Sequence, residues 1–538
     1  MNEFCVVIPA SKKNVAFNDD LVKKLGGISL IQRAIDKARA LVTPDAIRVV
    51  TDSEEIRVIS ERNSIPVHFN RALKLQSQDI LTELNFFLAA LARQYPALLV
   101  LHPYTPLVGP EVIAAAWKKF TTKRCDLLVS VKEEPHRAYK HMPTSLEGLV
   151  LNDDRQKLLT EVRAFQFVRS AWLSRRNRPP PKVLPCFVEH DAVEIRSYQD
   201  WWICEKLLNR GRIVFRVIGN ARVGMGHIYR ALTIAHEITD HEIIFVCDHN
   251  SGVTAAKLAG FDYRVEIFQE KNVEAGIAAL KPYLVINDIL NTTRGYVLRL
   301  QRRGIRVVNF EDLGSGASCA DLTFNELYDD PLIAGDRICW GQRYFFVRDE
   351  FESATPHRFR RQVDGLLLSF GGTDPNNFTR SIFDAVAEFC DHAGIKVYVV
   401  TGEGYAHKKA FERHLACSDA RDVEFTSATG VISSIMERTQ IAISSNGRTV
   451  YELAHMNIPA IILSQHDREK THRFACPANG FINVGTYSPR RTEKRIRLEL
   501  ERLVSDHQFR HALFQRIKRF GFRGNKERVV GMILDIKN

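Results

Sequence analysis

The chain lacks a CxxC pair. Its ten cysteines are scattered without regular spacing, which excludes a zinc ribbon or a disulfide framework and leaves reduced, mostly buried thiols as the expectation. No apolar run approaches the roughly 20 residues that a membrane helix needs, so no transmembrane segment is expected. The opening, Met1-Asn2-Glu3-Phe4-Cys5-Val6-Val7-Ile8-Pro9, has no basic region, apolar segment and cleavage site in series; it reads directly as a strand. A cytoplasmic location is the expectation. The formal net charge of +12 invites a nucleic-acid partner. The basic residues, however, are dispersed in short clusters such as Arg175-Arg176-Asn177-Arg178, Arg302-Arg303 and Arg490-Arg491. No basic helix with interleaved aromatics stands out, so no nucleic-acid partner is expected. An anionic small molecule fits the charge as well.

Hydrophobic content of 45% and charged content of 26% are those of an ordinary globular protein. In the first third, strand-like runs (4–9, 47–51, 97–102, 127–131) alternate with helical patterns (30–41, 54–63, 80–94, 110–120). That alternation predicts an α/β domain with a largely parallel sheet and chemistry at the strand ends. A helix over 201–209 and a break at 211–213 predict a domain boundary. Beyond it come apolar strands at 213–218, 243–247, 283–287 and 305–310, then a connector at about 340–362. A further set follows at 365–370, 397–401, 441–444 and 460–463. Two successive α/β units predict two Rossmann-like lobes facing a cleft. The expected domains are 1–210, 211–350 and 351–538, with amphipathic helices at 492–503, 506–519 and 525–536 closing the last lobe.

Four blocks carry the candidate chemistry. Val223-Gly224-Met225-Gly226-His227-Ile228-Tyr229-Arg230 lies between a strand and a helix. Its glycines allow a phosphate or sugar to approach the backbone, and its histidine can move protons near neutral pH. Alone, the octapeptide reads equally well as a tight turn with a satisfied histidine. Ser369-Phe370-Gly371-Gly372-Thr373-Asp374 runs from a strand into a glycine turn suited to a pyrophosphate. Ser444-Ser445-Asn446-Gly447-Arg448-Thr449-Val450-Tyr451-Glu452 repeats the pattern, with Glu452 placed to accept from ribose hydroxyls. Leu463-Ser464-Gln465-His466-Asp467-Arg468-Glu469 puts polar groups at another strand end.

Residues 1–210 resemble the CMP-sialic acid synthetases. The resemblance is carried by Val6-Val7-Ile8-Pro9-Ala10, Leu25-Gly26-Gly27, Val49-Val50-Thr51-Asp52-Ser53-Glu54-Glu55-Ile56, His102-Pro103-Tyr104-Thr105-Pro106-Leu107 and Asp126-Leu127-Leu128-Val129-Ser130-Val131. It implies a Rossmann-like nucleotidyltransferase (GT-A-like) fold, and a homodimer through this domain. The chain departs from the family's CTP loop at Ser11, where an arginine is usual, and at Asp20, where a lysine is; Lys12 and Lys13 remain to meet a phosphate. The family's metal-binding carboxylates align with Glu194-Ile195-Arg196, and an arginine there would exclude Mg²⁺. Cytidylyltransferase activity is therefore expected to be lost, with Mg²⁺ required only if it survives.

Residues 212–520 resemble the UDP-sugar hydrolase of pseudaminic acid biosynthesis, a two-lobed relative of the GT-B glycosyltransferases. The glycine-rich loop at 224–230 carries the match, together with Val308-Asn309-Phe310-Glu311-Asp312-Leu313 and the connector Trp340 to Phe351. The resemblance implies a GT-B module that needs no cofactor or metal and acts on a UDP-linked amino sugar in nonulosonic (sialic- or pseudaminic-like) acid biosynthesis. It implies His227 as general base activating water and Arg230 as a loop anchor or phosphate contact; the candidate for an acid that orients the histidine is Asp288. The expected substrate contacts are Gly224, Gly226, Arg230, Gly371, Gly372, Thr373, Asn446, Gly447, Thr449 and Glu452. The family's aspartate falls one position earlier, at Asn287, and one step along a strand turns a side chain to the other face. Two alternatives stay open: a GT-B glycosyltransferase in which an acceptor sugar replaces water, and a noncatalytic sugar-nucleotide-binding or scaffold protein.

Overall fold

The computed structural model describes residues 3–12, 20–73, 80–133, 139–141, 146–148, 158–175, 178–188, 192–219, 225–249, 258, 260–418, 422–427 and 429–536. Gly224 and Lys13 lie outside these residues, as does the side chain of Asp20. The chain divides into two compact units, Met1–Arg210 and Gly211–Asn538.

Unit 1 is built on a seven-stranded sheet. Its spatial order is Val183–Phe187, Leu127–Glu133, Leu159–Arg169, Ala97–Leu101, Cys5–Pro9, Ile47–Thr51 and Val67–Phe69. Leu159–Arg169 runs antiparallel to both neighbours, and the other pairings are parallel. Cys5–Pro9 and Ala97–Leu101 are buried along their whole length, which is why they read as unbroken apolar runs. The helices expected over 30–41, 54–63 and 110–120 form as Leu30–Arg39, Glu54–Arg62 and Pro110–Thr122. The run at 80–94 breaks into Ile80–Glu83 and Asn85–Leu91.

Unit 2 holds two all-parallel sheets. The first orders its strands Arg264–Phe268, Glu242–Asp248, Arg212–Val217, Leu284–Asp288, Arg306–Phe310, Leu322–Asn325 and Ile338–Trp340. The second orders them Val423–Ser427, Lys396–Thr401, Gly365–Ser369, Ile441–Ser445, Ala460–Ser464 and Phe481–Thr486. In each, the chain builds outward from a central strand and then returns to that strand's other side. The reversal falls between Arg212–Val217 and Leu284–Asp288 in the first lobe, where Val217 pairs with Asp288. In the second it falls between Gly365–Ser369 and Ile441–Ser445, where Ser369 pairs with Ser444. Connections leave in opposite directions at such points and open a crevice at the strands' carboxyl ends.

The expected closure of the second lobe by the last helices needs correction. Arg491–Ser505 does pack there, placing Ile496, Leu500 and Leu503 in that lobe's core. The final helix, Asn525–Leu534, instead buries Val529, Val530 and Ile533 against the first lobe, beside Ile228, Leu232 and Ala235. The chain after 351 therefore serves both lobes. Gly524, at φ +78°, precedes the helix in a conformation that suits glycine. Lys526 fixes the docking: its ammonium lies 2.7 Å from Glu237 and 2.9 Å from Asp349, and also contacts Glu352. These are the carboxylates that, among the described residues, lie close enough together to hold a metal ion; the ammonium already neutralises them. Lys526→Met should lower stability by about 1–2 kcal/mol, the carboxylates being partly exposed. The expected result is a melting temperature a few degrees lower, with most of the loss recovered by high salt.

Candidate functional site

The two strand reversals of unit 2 face each other across a cleft of about 260 Å³, at the small end of ligand sites. The first lobe contributes Met225, Gly226, His227 and Glu311, and the second contributes Gly371, Gly372, Thr373, Gly447, Thr449 and Glu452. Of the expected contacts, Gly226, Gly371, Gly372, Thr373, Gly447, Thr449 and Glu452 thus line one space with His227. The walls meet closely. A Cβ on Gly226 would stand 3.6 Å from Arg448 Cδ, and one on Gly372 would stand 3.3 Å from Met225 Cγ. Gly371 adopts φ +86°, a conformation that only glycine takes readily, so the turn presents bare backbone to the cleft.

His227 sits in the first turn of the Gly226–Glu237 helix. Its Nδ1 lies 2.5 Å from Oδ1 of Asp288, the last residue of the Leu284–Asp288 strand. The carboxylate can only accept, so Nδ1 carries the proton and the Nε2 lone pair is the ring's remaining base. Burial alone would push the Asp288 carboxyl up; the Arg230 guanidinium, then the His227 ring, outweigh it and hold the group well below the usual carboxylate range. Asn287 turns to the opposite face, donating to Asn309 at 2.9 Å and accepting from the Tyr296 hydroxyl at 2.8 Å. The one-residue offset therefore leaves Asp288 on the histidine's side.

Of the two readings of Arg230, loop anchor or phosphate contact, the geometry fits the first: its side chain is fully buried and absent from the cleft lining. Its Nε donates to Asp288 Oδ2 at 2.7 Å and its Nη2 donates to Asp288 Oδ1. Nη1 donates to Glu326, and both terminal nitrogens lie 3.3 Å from Glu311 Oε2. Nη2 also lies 3.1 Å from His227 Nδ1, so three carboxylates and the imidazole surround the guanidinium, which leaves it no donor for a ligand. Asn446 is likewise turned away. Its amide donates to the carbonyls of Glu469 at 2.7 Å and His472 at 2.9 Å, shaping the loop rather than lining the cleft. Glu452 does line the cleft, but its Oε1 already accepts from Arg348 Nε at 3.0 Å.

Sequence reasoning missed the cations of the cleft. Arg348, Arg448 and Arg468 all line it. Arg448 donates to Glu326 at 2.6 Å and to the Phe346 carbonyl at 3.0 Å, tying the second lobe to the first. Arg468 donates from Nε to the Tyr328 hydroxyl at 2.9 Å and lies 3.6 Å from Glu311 Oε1. Burial would raise the Glu311 carboxyl, but His227, Arg230 and Arg468 together bring it below its ordinary value. Glu311 stands at a strand end with φ +52°, a strained position for a residue with a side chain.

In unit 1, Glu194 stands where the resemblance puts a metal-binding carboxylate. Its Oε1 accepts from Arg163 at 2.8 Å and its Oε2 accepts from Arg196 at 2.5 Å. Guanidinium groups hold both oxygens, so this set does not fit Mg²⁺, which requires a shell of oxygen ligands. Lys12 is drawn to Glu55, 3.3 Å away, while its backbone N–H donates to Asp52.

No family model matches the chain. It is similar to an uncharacterized protein of Methanocaldococcus jannaschii, 22% identical over 270 residues, covering 47% of this chain and 55% of that protein. It is also similar to the spore coat polysaccharide biosynthesis protein SpsG of Bacillus subtilis, 22% identical over 311 residues, covering 55% of this chain and 89% of that protein. The chain thus spans about half the length of the first relative and most of the second. Among solved structures it resembles MurG of Acinetobacter baumannii, with 12% identity and a TM-score of 0.43, over 60% of this chain and 99% of that one. Among the described residues, no helix is long and apolar enough to cross a membrane.

Proposed function

We propose that unit 2 is a GT-B module that cleaves the anomeric C–O bond of a UDP-linked amino sugar in nonulosonic acid biosynthesis. The observation that carries this reading is the His227–Asp288 pair facing two glycine turns across one cleft. His227 Nε2 takes a proton from water as the water oxygen attacks the anomeric carbon, and Asp288 steadies the imidazolium that results. UDP leaves with the electron pair of the broken bond. Backbone N–H groups of the turns and the cleft arginines offset its growing negative charge. The relation to a polysaccharide biosynthesis protein favours a sugar substrate, and the fully engaged Arg230 is a positioning residue for the dyad. Unit 1 is read as having lost CMP-sugar synthesis, on the strength of the two arginines that hold Glu194.

The test is a screen of the full chain against UDP-amino sugars, measuring free UDP. Release without an added acceptor supports hydrolysis. Release only with an acceptor sugar would make the module a glycosyltransferase, and binding without turnover would make it a binding protein. The full chain with CTP, Mg²⁺ and a nonulosonic acid should yield no pyrophosphate; clear release would overturn the reading of unit 1. A geometric prediction accompanies the phosphate site. A Cβ at Gly402 would stand 2.5 Å from the Gly372 carbonyl oxygen, so Gly402→Ala must displace the Gly371-Gly372 turn. Overpacking of this kind costs about 1–3 kcal/mol. UDP affinity should fall about tenfold or more in a binding titration, and wild-type affinity would show that the turn does not hold the diphosphate.

A further inference from the structure

The carboxylates that line the cleft, and Asp288 behind it, differ in their partners. Asp288 is paired with Arg230, Glu311 with Arg230 and Arg468, and Glu452 with Arg348. Glu469 is not paired in this way. It is 7% exposed and lines the cleft, yet among the described residues its carboxylate has no arginine or lysine ion pair, only the His466 imidazole, whose Nε2 lies 3.9 Å from Oε1. Its sequence neighbours face elsewhere, Arg468 toward Tyr328 and Glu311, and Lys470 toward Asp467 at 2.5 Å. Oε2 accepts the Gln465 backbone N–H at 2.7 Å. Oε1 faces Gly447, where even a Cβ would be 3.9 Å away, so it opens onto the turn expected to hold a phosphate.

A second group lines the same cleft. His472 is 5% exposed and lines the cleft. Its Nδ1 donates to the Asn446 carbonyl at 2.8 Å, while Nε2 has no hydrogen-bond partner among the described residues. A buried polar atom without a partner in a cleft is a place for a ligand group. Burial, unrelieved by a guanidinium, pushes the Glu469 carboxyl up to about 7; the backbone N–H groups of Gln465 and Asn446 act in the other direction, and the Glu311 charge adds to the rise.

We propose that Glu469 is the acid of this cleft, entering the nucleotide complex protonated and donating its O–H to a phosphoryl oxygen of the diphosphate. The inference rests on the UDP-sugar reading of unit 2. In the cleavage step the anomeric C–O bond breaks with its electron pair passing to the phosphoryl oxygen, which takes the Glu469 proton. The water oxygen bonds to the anomeric carbon, and the water's proton passes to His227 Nε2. Afterwards His227 loses one proton and Glu469 regains one by exchange with solvent, so charge and atoms balance. One wall then carries the base and the other the acid, an arrangement set by two environments that drive their groups apart.

The experiment is calorimetric titration of the full chain with UDP between pH 6.5 and 8.5, in buffers of different ionisation heat. An anion beside Glu469 raises its proton affinity, so binding near pH 8 should take up close to one proton per UDP. Affinity should weaken by up to about tenfold per pH unit above neutrality. Above about pH 7.5 UDP itself is almost fully ionised, the second phosphate ionisation lying near pH 6, so the uptake is read there. Glu469→Gln keeps an acceptor for the Gln465 N–H and imitates the neutral acid; its affinity should be flat across the range, with no proton uptake. Wild-type binding without uptake overturns the proposal. So does uptake that persists in Glu469→Gln, or that vanishes in His472→Asn instead. A wild-type chain that binds no UDP at any of these pH values removes the UDP-sugar reading, and this inference with it.

Discussion

His227→Asn is expected to lower the rate of UDP release by about 10²–10⁴-fold, the usual contribution of a positioned general base, while UDP affinity stays near the wild-type value. The prediction separates chemistry from binding because the residues proposed to hold the diphosphate lie mainly on the opposite lobe. The fold should tolerate the change. Asp288 keeps its two-pronged hydrogen bonds from Arg230, so removing the imidazole strands no buried charge. The pH profile gives a second reading. Because burial is outweighed by Arg230 and His227, Asp288 stays ionised far below neutrality; protonation of this carboxylate should then not set the acid limb of wild-type turnover. Single-turnover UDP release and a UDP titration of the same variant are the measurements. Release at the wild-type rate would remove His227 from the chemistry, and loss of UDP affinity with unchanged turnover at saturation would make it a binding residue.

The parts of this site legible in sequence are those in which one local segment carries the whole signal. Parallel strands buried on both faces read as unbroken apolar runs, and glycine turns directly after Ser369 and Ser445 mark their carboxyl ends. His227 and Arg230, three residues apart on one helix, share a face by helical geometry alone. Their surroundings were not legible. Glu311 and Glu326 reach Arg230 from 81 and 96 residues away, and Arg448 reaches Glu326 from 122. No local pattern says that a strand-end glutamate will turn inward to a guanidinium instead of outward to water. Arg230 therefore read as either a loop anchor or a phosphate contact, and only the fold, which turns its guanidinium onto Asp288, Glu311, Glu326 and the His227 ring, favours the anchor. Asp288 shows the converse. An offset of one position counted against it, yet Val217 pairs with Asp288 and that register brings its carboxylate to the histidine. The strands Val423–Ser427 and Arg264–Phe268 are only half-buried or exposed along much of their length, so their polar faces gave no apolar run to read. The final helix was legible as an amphipathic helix and misplaced because both lobes offer apolar surface and only tertiary structure chooses between them.

Arg230→Met is expected to be the most destabilising substitution in unit 2. The guanidinium is the common partner of Asp288, Glu311 and Glu326 inside the first lobe. Deleting it leaves those charges facing one another, with Arg448 still on Glu326 and Arg468 still near Glu311. Breaking a buried pair in this way costs about 3–5 kcal/mol, a large share of the margin by which a domain is folded. Arg230→Lys should recover little, because one ammonium cannot reproduce a fork that binds Asp288 through two nitrogens and Glu326 through a third. The pH dependence gives the decisive sign. In the wild type, Asp288 and Glu311 titrate below their ordinary values, so their contribution is complete above the unfolded carboxylate range, near pH 4. It is lost as pH falls through the folded values. In the variant Arg468 still offsets part of the Glu311 charge, but Asp288 loses both hydrogen bonds from the guanidinium and faces the other carboxylates, so its proton affinity should rise above the unfolded value. Stability should then increase as pH falls from 8 toward 5, the opposite slope to any acid loss in the wild type. Thermal unfolding across that range reads both the drop and the slope. A melting temperature within about two degrees of wild type, with the wild-type slope, would show that water or a rearranged arginine replaces Arg230, and that the charge network is not what holds Asp288 against His227.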